Sequence, residues 1–186
     1  STGAENVAIG FSALKLNATT AQNTAVGHDS LRNNIAAQNT AVGHSALKAN
    51  TTGTRHTAMG YEALITNTTA IRNTAIGYQA LKANTDGAQN TAVGDIALYT
   101  NTAGADNTAI GGSALGANTT GNNNVAVGRL SLDANTTGSD NIAIGKNALG
   151  ANTTGVDSVA IGDSSLLLNT ASSNTAVGNS TLSSNV

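Results

Sequence analysis

The chain has no cysteine, no proline and no tryptophan, and its only aromatic residues with six-membered rings are Phe11, Tyr61, Tyr78 and Tyr99. Without cysteine there is no disulfide and no thiol chemistry, which permits an extracellular location without requiring one. Four such rings in 186 residues are too few for the core of an ordinary globular domain of that length. Charge is sparse as well, with 10% charged residues and a formal net charge of -2, so nucleic acid is not expected as the main partner. The sequence holds no run of 18 apolar residues and no secretion signal, and membrane insertion is not expected.

What fills the chain instead is Ala, Asn, Thr and Gly in a strict order. The stretch Asn73 to Gln89, NTAIGYQALKANTDGAQ, recurs in eleven copies starting at Asn6, Asn23, Asn39, His56, Asn73, Asn90, Asn107, Asn124, Asn141, Ser158 and Asn174. Successive starts lie 17 residues apart, with 16-residue steps after Asn23 and Ser158. A short fixed period is the signature of a solenoid, so residues 1–186 form one array rather than separate domains. Residues 1–5, STGAE, fit the end of a preceding copy, and the chain is expected to be a portion of a longer fibre.

Within the array some columns never change. The third position is always Ala, the fifth always Gly, the ninth always Leu and the twelfth always Asn. The fourth is Val or Ile, with one Met at Met59, and the second is Thr in seven copies and Val or Ile in the other four. Apolar residues recurring with period two, among poor helix formers, predict β-strands rather than helices. Side chains alternate faces along a strand, so the second and fourth residues share one face, read here as the buried one. The expected core also includes the ninth-position leucines, Leu14, Leu31, Leu47, Leu64, Leu81, Leu98, Leu115, Leu132, Leu149, Leu166 and Leu182, arriving on a second strand over positions eight to eleven. The Gly between supplies the bend, and N-T-T-G closes the coil through turn-forming residues.

The fold class expected is therefore all-β, a parallel β-solenoid or β-roll with one 16–17-residue copy per coil and eleven coils. At the inter-strand spacing this makes a thin rod about 50 Å long. Equivalent residues stack, so Asn17, Asn34, Asn50, Asn67, Asn84, Asn101, Asn118, Asn135, Asn152, Asn169 and Asn185 should form an amide ladder. Each coil offers little apolar surface to bury. The small third and eighth positions, among them Ala46, Ser131 and Thr181, are read as the place where other chains approach, giving a parallel homotrimer.

The sixth position carries Phe11, His28, His44, Tyr61 and Tyr78 in five consecutive copies, a stacked column that is a candidate platform for host-surface glycan and equally a device for holding strands together. His28 and His44 are neighbours there, but two ligands do not make a zinc site, and the aspartates lack the spacing of calcium-binding β-rolls. No metal and no cofactor is expected. The N-T-T triplets at Asn50, Asn67, Asn118, Asn135 and Asn152 match a glycosylation acceptor formally and are read as turns. No nucleophile elbow, P-loop or dinucleotide fingerprint is present, nor a pair of carboxylates placed for acid and base, and the chain is not read as an enzyme. The Thr column of Thr51, Thr68, Thr85 and Thr102 suggests ice binding, without the outward T-x-T strand usual for it. Lys15, Arg32, Lys48, Arg55, Arg72 and Lys82 lie in the first half and most aspartates in the second, a division read as solvated surface.

The motif N-T-A-[VI]-G-[YH]-x-A-L-x-x-N-T-T-G, seen at Asn39 to Gly53 and, with Asp86 for the second Thr, at Asn73 to Gly87, resembles repeats of phage and prophage tail-fibre proteins across almost the whole chain. The N-[VI]-A-I-G core at Asn6 to Gly10 and Asn141 to Gly145 is similar to the head repeats of trimeric autotransporter adhesins. Both resemblances imply an extracellular, trimeric attachment structure on a virion or cell surface, and neither implies a catalytic residue. The function expected is that of a structural fibre shaft holding a receptor-binding tip. A surface adhesin that binds host glycan or protein, and an ice-binding solenoid, are the alternatives.

Overall fold

The computed structural model describes residues 3–184. Every copy contributes one three-residue strand: β1 (Val7–Ile9), β2 (Thr24–Val26), β3 (Thr40–Val42), β4 (Thr57–Met59), β5 (Thr74–Ile76), β6 (Thr91–Val93), β7 (Thr108–Ile110), β8 (Val125–Val127), β9 (Ile142–Ile144), β10 (Val159–Ile161) and β11 (Thr175–Val177). All eleven pair in parallel, each with its neighbour in sequence, to make one sheet. The register joins like to like, Ala75 to Ala92 and Ala92 to Ala109. One copy therefore makes one lap, and ten laps separate β1 from β11, with no helix among the described residues.

The strand faces are reversed from the sequence expectation. Ala75 and its equivalents from Ala25 to Ala160 are fully buried, while Ile76 is 37% exposed and Ile110 41%. The first and third positions, Asn and Ala, point inward, and the second and fourth, Thr and Ile or Val, point out. The cause is steric. Leu81 and Ala80 enter from the opposite wall and are also fully buried, so the strand has room for nothing larger than a methyl group. The small third and eighth positions are thus interior and offer no surface for another chain to approach.

That opposite wall is not a second strand. Residues 78–83 are a run of turns in which Gln79 (φ 51°) and Leu81 (φ 52°) are left-handed, and the same two columns recur in every coil. Backbone groups there still find partners in adjacent laps: Gln79 N–H donates to Tyr61 O at 2.9 Å, and Leu81 N–H to Ala97 O at 3.0 Å. A left-handed leucine costs roughly 1–2 kcal/mol. Burying its side chain returns about 1.5–3 kcal/mol, so burial wins. The leucines from Leu31 to Leu166 are fully buried, Leu14 is 8% exposed, and Leu182, in the last coil and covered from one side, is 48% exposed. Gly77, at φ 135°, makes the corner as its sequence position suggested, and a Cβ there would fall on the carbonyl of Gly94 one lap away.

Two columns of amides run through the interior. In the twelfth-position column, Asn50, Asn67, Asn84, Asn101, Asn118 and Asn135 each donate through Nδ2 to the preceding asparagine Oδ1 at 2.7–3.1 Å, so the ladder is continuous from Asn34 to Asn135. Asn17 instead binds its own turn, accepting from Thr20, and Asn152 bonds within its own loop to Gly155. Asn169 makes no ladder bond, its Nδ2 being buried without a partner, and Asn185 lies outside the described residues. The first-position column forms a second ladder that sequence reasoning did not foresee. Asn73 Oδ1 accepts the backbone N–H of Asn90 at 2.8 Å, while Asn73 Nδ2 donates to Gly87 O at 2.8 Å.

The interior amides also show how the first of the two shorter laps fits. In the second coil Asn23 and Asn34 both donate to Ala36 O, at 2.9 and 2.7 Å, where a full-length coil uses the carbonyl one residue later in its closing loop. The missing residue is absorbed in that loop and strand register is kept.

Candidate functional site

The residue after the corner glycine stands at the start of the turn wall and projects outward. In coils one to five this places Phe11, His28, His44, Tyr61 and Tyr78 in a column with ring centroids 5.3, 5.1, 5.3 and 5.5 Å apart and interplanar angles of 23°, 4°, 15° and 11°. The five rings are brought together as their spacing suggested. They are stacked on one another, so His28, His44 and Tyr61 have a ring on each face and turn their edges to solvent, while the end rings Phe11 and Tyr78 have a ring on one face only. Tyr61 is 44% exposed and Tyr78 51%.

Beside this column run the tenth-position cations Lys15, Arg32, Lys48 and Lys82, of which Arg32, Lys48 and Lys82 pair with seventh-position carboxylates. Asp29 is buried and gathers three groups: Lys48 Nζ at 2.8 Å, Arg32 Nη1 at 3.6 Å and His28 Nδ1 at 3.8 Å. The Lys48 hydrogen bond, aided by the Arg32 and His28 charges, holds the Asp29 carboxyl below its usual range. Glu62 is the second node, accepting from Gln79 Nε2 at 2.8 Å and pairing with Lys82 Nζ at 3.1 Å. The Gln79 hydrogen bond and then that of Lys82 lower its pKa. Glu62 in turn raises Tyr61 and Lys82, and Lys82 also lies 5.6 Å from the Tyr99 ring centre. The signal available in the sequence was the recurrence of Lys or Arg at one column in four of five coils.

The remaining candidates separate. His56 is 2% exposed and belongs to the first-position ladder, away from the His28 and His44 pair. Among the described residues no three His, Asp or Glu side chains gather as a metal site. The N-T-T asparagines Asn50, Asn67, Asn118, Asn135 and Asn152 are buried in the amide column, inaccessible to a glycosyl donor. In the Thr column, the hydroxyls of Thr51, Thr85 and Thr102 donate to the next lap's carbonyls at 3.0–3.1 Å and so are engaged by protein. The outward Thr24, Thr40, Thr57, Thr74, Thr91 and Thr108 lie instead along the sheet face beside exposed Val, Ile and Met. Among the described residues no helix is long and apolar enough to cross a membrane.

Comparison of the chain with protein-family models, with curated proteins and with solved structures returns no match.

Proposed function

We propose that this chain is a structural shaft of an extracellular attachment fibre of the tail-fibre type, in which three parallel copies turn their sheet faces toward a common axis and hold a receptor-binding tip at a distance. The observation that carries this reading is the outward face of the sheet. Its second and fourth positions hold only Thr, Val, Ile and Met over eleven strands, with Met59, Ile76, Ile110, Ile144 and Ile161 each 37–42% exposed. An apolar strip that long marks an interface. It has no charge for a dissimilar partner to read, and its rungs repeat at the inter-strand spacing of about 4.8 Å, so a second copy in register meets every rung. Two interior amide ladders and one repeated lap give the stiffness a shaft needs.

Sedimentation equilibrium of the chain tests the reading. The expected mass is three times 18.3 kDa, and the expected effect of Ile76→Lys with Ile110→Lys is dissociation to 18.3 kDa. An unmodified chain that stays at 18.3 kDa at micromolar concentration rejects it.

The same face supports a second reading, ice binding. The outward Thr residues from Thr24 to Thr108 stack in register, and with Val, Ile or Met they form a regular rank of methyl and hydroxyl groups. Thermal hysteresis of the monomer supports that reading; its absence removes it.

A further inference from the structure

We propose that coils one to five carry a binding strip for a linear acidic polysaccharide, formed by the edges of the ring column at Phe11, His28, His44, Tyr61 and Tyr78 together with Lys15, Arg32, Lys48 and Lys82. The strip is local. Those five coils hold six of the eight Lys and Arg residues and three of the ten carboxylates, and beyond them the sixth position becomes Asp95, Gly112, Arg129, Lys146, Asp163 and Asn179. A column serving the fold alone needs no such division, since coils six to eleven make the same lap with no ring at the sixth position and no Lys or Arg at the tenth. The proposal rests on side-chain placement and does not depend on the shaft reading.

Chemistry selects the ligand. Sugars and bases that bind by stacking need free ring faces. Here both faces of His28, His44 and Tyr61 are taken by neighbouring rings and only the end rings Phe11 and Tyr78 keep one face without a ring, so along the column imidazole nitrogens and a tyrosine hydroxyl at the edge are the hydrogen-bonding groups. Beside them Asp29 neutralises one of the two charges of Arg32 and Lys48, and Lys15 is exposed and outside every ion pair among the described residues. The Arg32 side chain is 38% exposed, and its fork retains donors beyond the single nitrogen that faces Asp29. The vacant capacity is for carboxylates, arriving at a rung spacing of about 4.8 Å that suits one sugar residue per coil. Asp29 and Glu62 act as positioning residues that hold the cations upright.

The test is binding of the full chain to immobilised polygalacturonate at low salt, with dextran as the neutral polymer and a single-stranded oligonucleotide as the competing polyanion. Lys15→Gln with Arg32→Gln leaves Lys48 on Asp29, so the fold is retained, as circular dichroism checks. It should weaken binding about tenfold or more and flatten the salt dependence. Arg129→Gln with Lys146→Gln removes the same charge from the other half of the rod and should change affinity by less than about twofold. No binding to polygalacturonate, equal loss in both double variants, equal binding to dextran, or tighter binding to the oligonucleotide each overturns the proposal.

Discussion

His56 accepts the backbone N–H of Asn73 through Nδ1 at 3.2 Å, the service that Asn73 Oδ1 performs for Asn90 at 2.8 Å. Its Nε2 lies 2.7 Å from Ala70 O, where an asparagine would donate from Nδ2. A neutral imidazole, protonated at Nε2, thus replaces an amide without interrupting the column. Ser158 does the same with less, its Oγ accepting from Asn174 N–H at 3.3 Å.

This tautomer makes stability pH-dependent. Burial holds the His56 pKa below its ordinary value of 6.5, and the groups around it, Asn39, Asn67, Asn73 and Ala70, carry no charge to offset that. The unfolded chain takes up the proton first as pH falls, so the stability is present above about 6.5 and is lost progressively below it. Melting temperature measured from pH 8 to pH 5 should fall, and His56→Asn should flatten the profile. An unchanged slope in that variant would show that another group titrates.

Substitutions on the two faces of one strand should differ in kind. Ala92→Val adds methyl groups where no space remains and should cost about 1–3 kcal/mol of unfolding free energy. Ile76→Ser, on the exposed side, should cost the monomer less than about 1 kcal/mol while weakening self-association. Urea unfolding of the two variants, read with sedimentation, separates the effects.

Ile96 sits at φ 46° in a column otherwise held by Ser, Asp, Glu, Gln, Asn and one Leu. A β-branched side chain is strained there, whereas asparagine tolerates the left-handed region. Ile96→Asn should stabilise the rod by about 1 kcal/mol, visible as a higher urea midpoint.

Asn101 joins both neighbours of its ladder, donating to Asn84 Oδ1 at 2.8 Å and accepting from Asn118 Nδ2 at 2.8 Å. Asn101→Ala leaves both of those groups and Gly104 O in the interior without this partner. The expected loss is about 2–4 kcal/mol, larger than for a surface asparagine such as Asn122, and measurable by thermal melting.

The lap length, parallel register, buried leucines, corner glycines and twelfth-position amides were all legible because a repeat of 17 residues stacks each residue on its own kind. The strand faces were not. Val and Ile at the fourth position were read as core by their hydrophobicity, although β-branched residues suit any strand, exposed or buried. The invariant Ala was the better signal, since a position that never exceeds one methyl group reports a space that will hold no more. The ring column was legible by the same stacking. Its link to the cations was not, because which columns adjoin across a turn depends on where the chain bends.

The order of residues alone determined that this chain is a periodic rod with alanine, leucine and asparagine in fixed files, since periodicity requires equivalent residues to meet whatever the shape of the lap. Only the tertiary structure decided which side of each strand is inside and how the turn wall is built. Those depend on the distance between two walls, and that distance is set when left-handed Leu81 and Ala80 close against Ala75, at a conformational cost that no residue type discloses by itself.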